Sequence, residues 1–159
     1  MKIDFYTCDV FTRQRFGGNQ LAVIIDAGEL NKLQMQQIAR EFNFSETTFV
    51  LPPQKGHDWK VRIFTPTREV PFAGHPNIGT AFVLASSGLL GDLSEDQVVT
   101  FEEQAGLVEV RISRQQDGKL WCELLAPQSL KLGRVVMPEL AAPALSLDVA
   151  DIRLAVHPP

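Results

Sequence analysis

Apolar and polar residues alternate over residues 2–11, KIDFYTCDVF, and the β-forming side chains there predict a strand. A loop over Thr12–Gln20, ending in Gly17-Gly18-Asn19, leads to an unbroken apolar run, Leu21–Ile25, that predicts a buried strand. Asp26-Ala27-Gly28 breaks the run, and Asn31 is a candidate N-cap for a helix over 32–43. Within that helix Met35, Ile38, Ala39 and Phe42 recur at helical spacing, while Gln34, Gln37, Arg40 and Glu41 face outward. The strand period returns at Thr47–Leu51 and Trp59–Thr65, with a Pro52–Gly56 turn between them. Three more strands are predicted at Val98–Glu103, Leu107–Arg114 and Lys119–Leu125. The last two are joined through Asp117-Gly118, a hairpin signal. Residues 127–144 are rich in Pro, Leu and Ala, and Ala144–Leu154 reads as a short helix.

One segment fits neither amphipathic pattern. From Ile78 to Ala85 every side chain is apolar or small and none is charged. A helix of that kind must be enclosed by protein, and at about ten residues it is too short to span a bilayer. Pro76 suits the first helical position, and Gly88 and Gly91 suit its end. Gly79, Ala81 and Ala85 let surrounding backbone come close. The chain therefore reads as an α+β domain, a β-barrel-like sheet wrapped around a central buried helix whose N-terminus opens at Gly74-His75-Pro76-Asn77. Free N–H groups and the positive end of the macrodipole at that opening suit an anion.

Composition narrows the function classes. The 159 residues suffice for one domain or one domain plus a short extension. A net charge of −4 with scattered Lys and Arg argues against nucleic acid and against anionic membranes. No leader and no transmembrane-length run is read, and Cys8 and Cys122 sit in strands as free thiols, so a reducing, cytoplasmic location is expected. No Cys/His spacing suggests a metal, and no Gly-rich fingerprint suggests a nucleotide, so neither metal nor cofactor is expected.

His75 stands at the helix mouth, where imidazolium is disfavoured; a neutral ring there can pass one proton, or can simply bond its own turn. Glu46 precedes the run Thr-Thr-Phe-Val-Leu; pointing outward it is a solvated carboxylate, pointing inward it is desolvated toward the range of a general acid or base. Gly17-Gly18-Asn19 is a turn or a substrate-contacting loop. Asp92, Glu95, Asp96 and the pair Glu102-Glu103 read as solvated surface.

In order, FGGNQLAVI, FNFSETTFV and VRIFTPTREVPFAGHPNIGTAFVL resemble the PhzF-like phenazine-biosynthesis family, whose members share the diaminopimelate-epimerase fold. The resemblance spans residues 1–90 and continues more weakly to about 155. It implies two like halves, with the active site in the cleft between them at the mouths of both central helices. Here residues 1–145 would be the N-terminal domain and 146–159 the start of a linker to a second half. It implies a cofactor-independent isomerase or epimerase that moves a proton on carbon of a small carboxylic or amino acid. Glu46 would be the general acid/base and His75 would line the site, with Asn19, Ser45, Gly74, Pro76 and Asn77 contacting a carboxylate-bearing substrate. Family members are nearly twice this length. The alternatives are therefore an inactive half-domain acting as a binding or structural module, or a homodimer in which a second copy stands in for the other half.

Overall fold

The computed structural model describes residues 2–127, 131 and 133–153. It divides into two compact units, Met1–Gln128 and Ser129–Pro159. The first unit is one sheet curled around one helix. Its strands are β1 (Phe5–Val10), β2 (Asn19–Ile24), β3 (Glu46–Leu51), β4 (Trp59–Phe64), β5 (Glu69–Val70), β6 (Gln97–Glu103), β7 (Gly106–Arg114) and β8 (Leu120–Leu124), and its helices are α1 (Lys32–Phe42) and α2 (Gly74–Ser86). The strand order is β1-β2-β3-β4-β6-β7-β8, with the two-residue β5 on β4. Neighbours are antiparallel except β2 with β3 and β4 with β6.

The expected wrapped helix is α2. Pro76, Asn77, Gly79, Thr80, Ala81, Val83, Leu84 and Ala85 are all buried. Ala81, Val83, Leu84 and Ala85 pack with Leu21, Val23, Val50, Ile63 and Phe101 from the inner face of the sheet, while Phe82, expected to be enclosed like the rest, is 40% exposed. Alternation along β3 sends Val50 to this inner cluster and Phe49 to a second cluster beneath α1, where it meets Phe64 and Met35. Thr48, on the inner side, shares a buried 2.8 Å hydrogen bond with Thr80 of α2. Burying a residue such as Leu84 completely is worth about 1.5–3 kcal/mol, and α2 contributes several such side chains.

Local chemistry explains the element ends. Asn31 caps α1 through a reciprocal pair with Gln34, at 3.0 Å each way. Past α2, Gly88 adopts φ +79° while its N–H reaches the Ala85 carbonyl and the Leu89 N–H reaches that of Leu84, a Schellman ending. Gly118, at φ +78°, turns the β7–β8 hairpin. Glu102 ties down the 52–57 turn by accepting from the amides of Gln54 (2.7 Å) and Lys55 (2.6 Å).

Three expectations need correction. Helix α2 begins at Gly74, so Pro76 occupies the third helical position instead of the first; a missing N–H costs nothing anywhere in that first turn. The two-residue strand β5 is too short to leave a period in the sequence. In the second unit the helix is α3, Pro138–Ala144, followed by a 3-10 turn at Val149–Asp151, and not a helix over 144–154. Pro138 takes the first helical position, and Ser146 turns left-handed just past the end. Residues 154–159, at the end of the expected linker, lie outside the described residues.

Gly79 shows how closely sheet and helix approach. A Cβ there would lie 2.5 Å from Leu21 Cδ2 and 2.8 Å from Val10 Cγ2. Gly79→Ala is expected to destabilise the domain by about 1–3 kcal/mol through overpacking, despite a helix-propensity gain of about 1 kcal/mol. Urea unfolding checks this, and an unchanged midpoint would show that the sheet gives way freely.

Candidate active site

The first turn of α2 and the N-terminal ends of β2 and β3 come together. Because β2 and β3 run parallel with Leu21 opposite Glu46, the residues just before these partners are also neighbours. Ser45 Oγ donates to Asn19 Oδ1 at 3.0 Å, tying the two strand entrances together. Glu46 opens β3, and strand alternation points it to the same inner side as Thr48. There its Oε2 lies 3.4 Å from His75 Nε2, with the side chains 20% and 9% exposed respectively.

These two atoms are buried and neither has a hydrogen-bond partner; their contact lacks the alignment of a hydrogen bond. Buried polar atoms are rarely left so, and the exceptions gather where a ligand or a moving proton completes them. Burial holds the His75 pKa below its ordinary value, although Glu46 and the Gln20 backbone, which faces the ring, pull the other way. The macrodipole of α2 reinforces the neutral form. The pair is therefore a neutral imidazole beside a carboxyl group, able to pass one proton between them.

Ala73, the N-cap of α2, supplies no side-chain cap. That leaves the amides of Gly74 and His75 without intrahelical partners, because Pro76 has no N–H and the Asn77 N–H already reaches into the helix. Two donors thus sit beside Glu46 and His75, an arrangement that can hold an oxyanion. Of the seven residues singled out from sequence, Glu46, His75, Gly74, Asn19 and Ser45 assemble here. Pro76 and Asn77 are buried behind the turn, and Asn77 Nδ2 donates inward to the Ala73 carbonyl at 3.0 Å.

Two features escaped sequence reasoning. The Gln20 backbone faces His75 only because β2 begins earlier than its apolar run. Glu102 and Glu103, expected on the surface, are not solvated: Glu102 is 5% exposed beneath the 52–57 turn, and both carboxyl oxygens of Glu103 are buried without a partner. Adjacent acidic residues on a strand point to opposite faces, so the pair could not both be outward on a sheet covered on both sides there.

An open depression lined by Thr7, Cys8, Asp9, Phe16, Gln20 and Phe44 adjoins this place. A larger one, lined by Trp59, Leu89, Leu90 and Val98 among others, lies toward the other end of α2 and holds none of the named residues. Cys8 and Cys122 are free, with burial pushing their thiols up to about 11 and about 12; such thiols do not act as bases at neutral pH. Among the described residues no cluster of His, Cys, Asp and Glu is arranged to hold a metal ion, and no helix is long and apolar enough to cross a membrane.

Known proteins share this arrangement of sequence and fold. An uncharacterised isomerase of Mesorhizobium japonicum is 44% identical over 151 residues, covering 94% of this chain and 49% of that protein. The trans-2,3-dihydro-3-hydroxyanthranilate isomerase of Pseudomonas fluorescens is 43% identical over 112 residues, covering 70% of this chain and 38% of that one. The crystal structure of a PhzF-family phenazine biosynthesis protein from Bacillus anthracis superposes with a TM-score of 0.77 at 31% identity, over 97% of this chain and 50% of that chain. The chain thus spans about half the length, or less, of the relatives it matches. The model of the phenazine biosynthesis-like family matches residues 8–140, and with that match over most of its length the chain belongs to the PhzF family.

Proposed function

We propose that this chain forms the Glu46/His75 wall of a cofactor-independent isomerase that moves a proton between carbons of a small unsaturated carboxylic or amino acid. The observation that carries the reading is the unpartnered Glu46 Oε2 and His75 Nε2, 3.4 Å apart beside the uncapped first turn of α2. Glu46 takes a proton from a carbon α or vinylogous to a carboxylate. The C–H electron pair moves into the conjugated system and its charge settles on a substrate oxygen, where the Gly74 and His75 amides hold it. Glu46 then returns the proton to a second carbon, so the reaction needs neither oxidant nor reductant. Neutral His75 keeps Glu46 in line and excludes a competing cation. The name of the Pseudomonas fluorescens relative describes a substrate of this class, a dihydroaromatic amino acid with a carboxylate.

A second reading is favoured by one fact, that the chain spans about half of its relatives. A one-sided cleft admits water, which weakens the electrostatics on which carbon-acid chemistry depends. On this reading the chain binds carboxylates without turning them over, unless a second copy or another half closes the cleft.

Deuterium exchange distinguishes the two. In D2O, the chain is expected to place deuterium on carbon of trans-2,3-dihydro-3-hydroxyanthranilate, followed by NMR, and Glu46→Gln is expected to slow this at least ~100-fold. Undiminished exchange in the variant would overturn the role of Glu46; binding without any exchange by the wild-type chain would select the second reading.

The buried imidazole also sets a pH dependence. Its pKa is lowered on folding, so below the ordinary histidine value the unfolded chain binds more protons than the folded one. The stability that His75 contributes is therefore full above that value, near 6.5, and is lost as pH falls toward the folded-state pKa. Urea midpoints of wild type are expected to drop on that acid side more than those of His75→Gln.

A further inference from the structure

Behind the open face of the α2 mouth lies a second titratable group. Glu103 ends β6, opposite Gly106 of β7, and the adjoining Ala105 N–H donates to the Pro71 carbonyl at 3.2 Å. This brings the β6–β7 turn against the segment that leads into α2. The side chain of Asn77, fully buried in the first turn of α2, acts directly on the Glu103 carboxyl.

Counting donors exposes a shortage. Glu103 Oε1, Glu103 Oε2 and Asn77 Oδ1 are all buried and none has a hydrogen-bond partner. One of the two hydrogens on Asn77 Nδ2 is already committed to the Ala73 carbonyl at 3.0 Å. One remaining N–H cannot serve three acceptors, so at least two stay unpaired in a place closed to water, which is costly. A carboxylic acid has what an ionised carboxylate lacks, one O–H donor.

We propose that Glu103 carries a proton and donates it to Asn77 Oδ1, so that Asn77 keeps its Nδ2 on the Ala73 carbonyl and fixes the turn that presents Gly74 and His75. Glu103 is then a positioning residue acting through Asn77. The relay fixes the Ala73 carbonyl and leaves the Gly74 and His75 amides uncapped. Ionisation removes the donor, and the Asn77 amide then has reason to turn toward the anion and release Ala73.

The surroundings support the neutral form. The leading turn offers Pro71, Phe72 and Ala73, and β7 offers Gly106. On α2, His75 is held neutral by burial. Glu102, on the same strand, is taken up by the Gln54 and Lys55 amides, and Lys60, opposite Glu102 on β4, bonds Gln54 Oε1 at 2.9 Å. No cation among these groups acts on Glu103; burial pushes its carboxyl up to about 8, with only the Asn77 contact pulling it back.

The protonation of Glu103 is independent of the isomerase reading; only its consequence for turnover rests on that reading. Carboxyl-13C glutamate labelling of the chain tests it. One glutamate resonance is expected to titrate near pH 8, far from the ordinary 4.5, and to vanish in Glu103→Gln. The ring and side-chain amide resonances of His75 and Asn77 should show an inflection at the same pH in wild type and none in the variant, which a purely structural role would not produce. Folding raises this pKa, so the folded chain holds the proton between about 4.5 and 8 where the unfolded chain has lost it, and stability falls as pH rises across that window. The urea midpoint of wild type should fall across it, and that of Glu103→Gln, which keeps a permanent donor, should fall less. If every glutamate titrates below pH 6, or if His75 and Asn77 ignore the pH 8 step, the proposal is overturned. The wild-type titration decides this even if the variant does not fold, and a chain inactive in deuterium exchange would leave it unaffected.

Discussion

The structure depends on enclosing a helix that has no polar face. A rod whose sides are Ile, Gly, Thr, Ala, Phe, Val, Leu and Ala can be stable in water only when a sheet curls around it. Most of the sides of α2 are thereby closed, with Phe82 left 40% exposed, and its two ends carry the groups that chemistry can use. At the C-terminal end Gly88 folds the chain back and satisfies the last carbonyls. At the N-terminal end no side chain performs the equivalent service, and the amides of Gly74 and His75 are left open. The same hydrophobic enclosure that stabilises the domain thus creates a polar opening at the helix end.

Around that opening electrostatics and packing act together. Burial alone would leave His75 and Glu103 neutral, and both pKa directions follow it: the imidazole falls and the carboxyl rises. Neutral groups cost little beside an unpaired helix terminus and leave its positive end free for an incoming anion. Glu102, next to Glu103 in sequence, takes the opposite course because backbone amides surround it. Two adjacent glutamates differ in protonation because the pleat sends them to different faces.

Much of this was legible in the residues. The apolar segment 78–85, the Asn31 cap and the Asp117-Gly118 hairpin are local signals, and each forms the expected element, with Phe82 alone of the apolar segment turned to solvent. The meeting of Glu46 with His75 was legible only through resemblance, since nothing in spacing alone joins positions 29 residues apart. Glu103 differs from the expectation because charge on a strand end ordinarily means solvent; it is buried where the β6–β7 turn docks on Pro71, a tertiary event with no period. The tail helix was misplaced because the Pro and Ala content of 127–144 obscures where a helix starts, until Pro138 is seen to open it.

The hydrogen bond between Thr48 and Thr80 carries a geometric consequence. From that hydroxyl pair to Glu46 is two strand residues, about 6.6 Å; from it to His75 is five helical residues, about 7.5 Å. Strand and helix climb toward the opening at nearly equal height from a common rivet. A slip of one residue along β3 would break the rivet and turn Glu46 to the far side of the sheet in the same movement. Two hydroxyls deep in the interior thus work as an alignment mark for the Glu46–His75 contact, which neither of them touches.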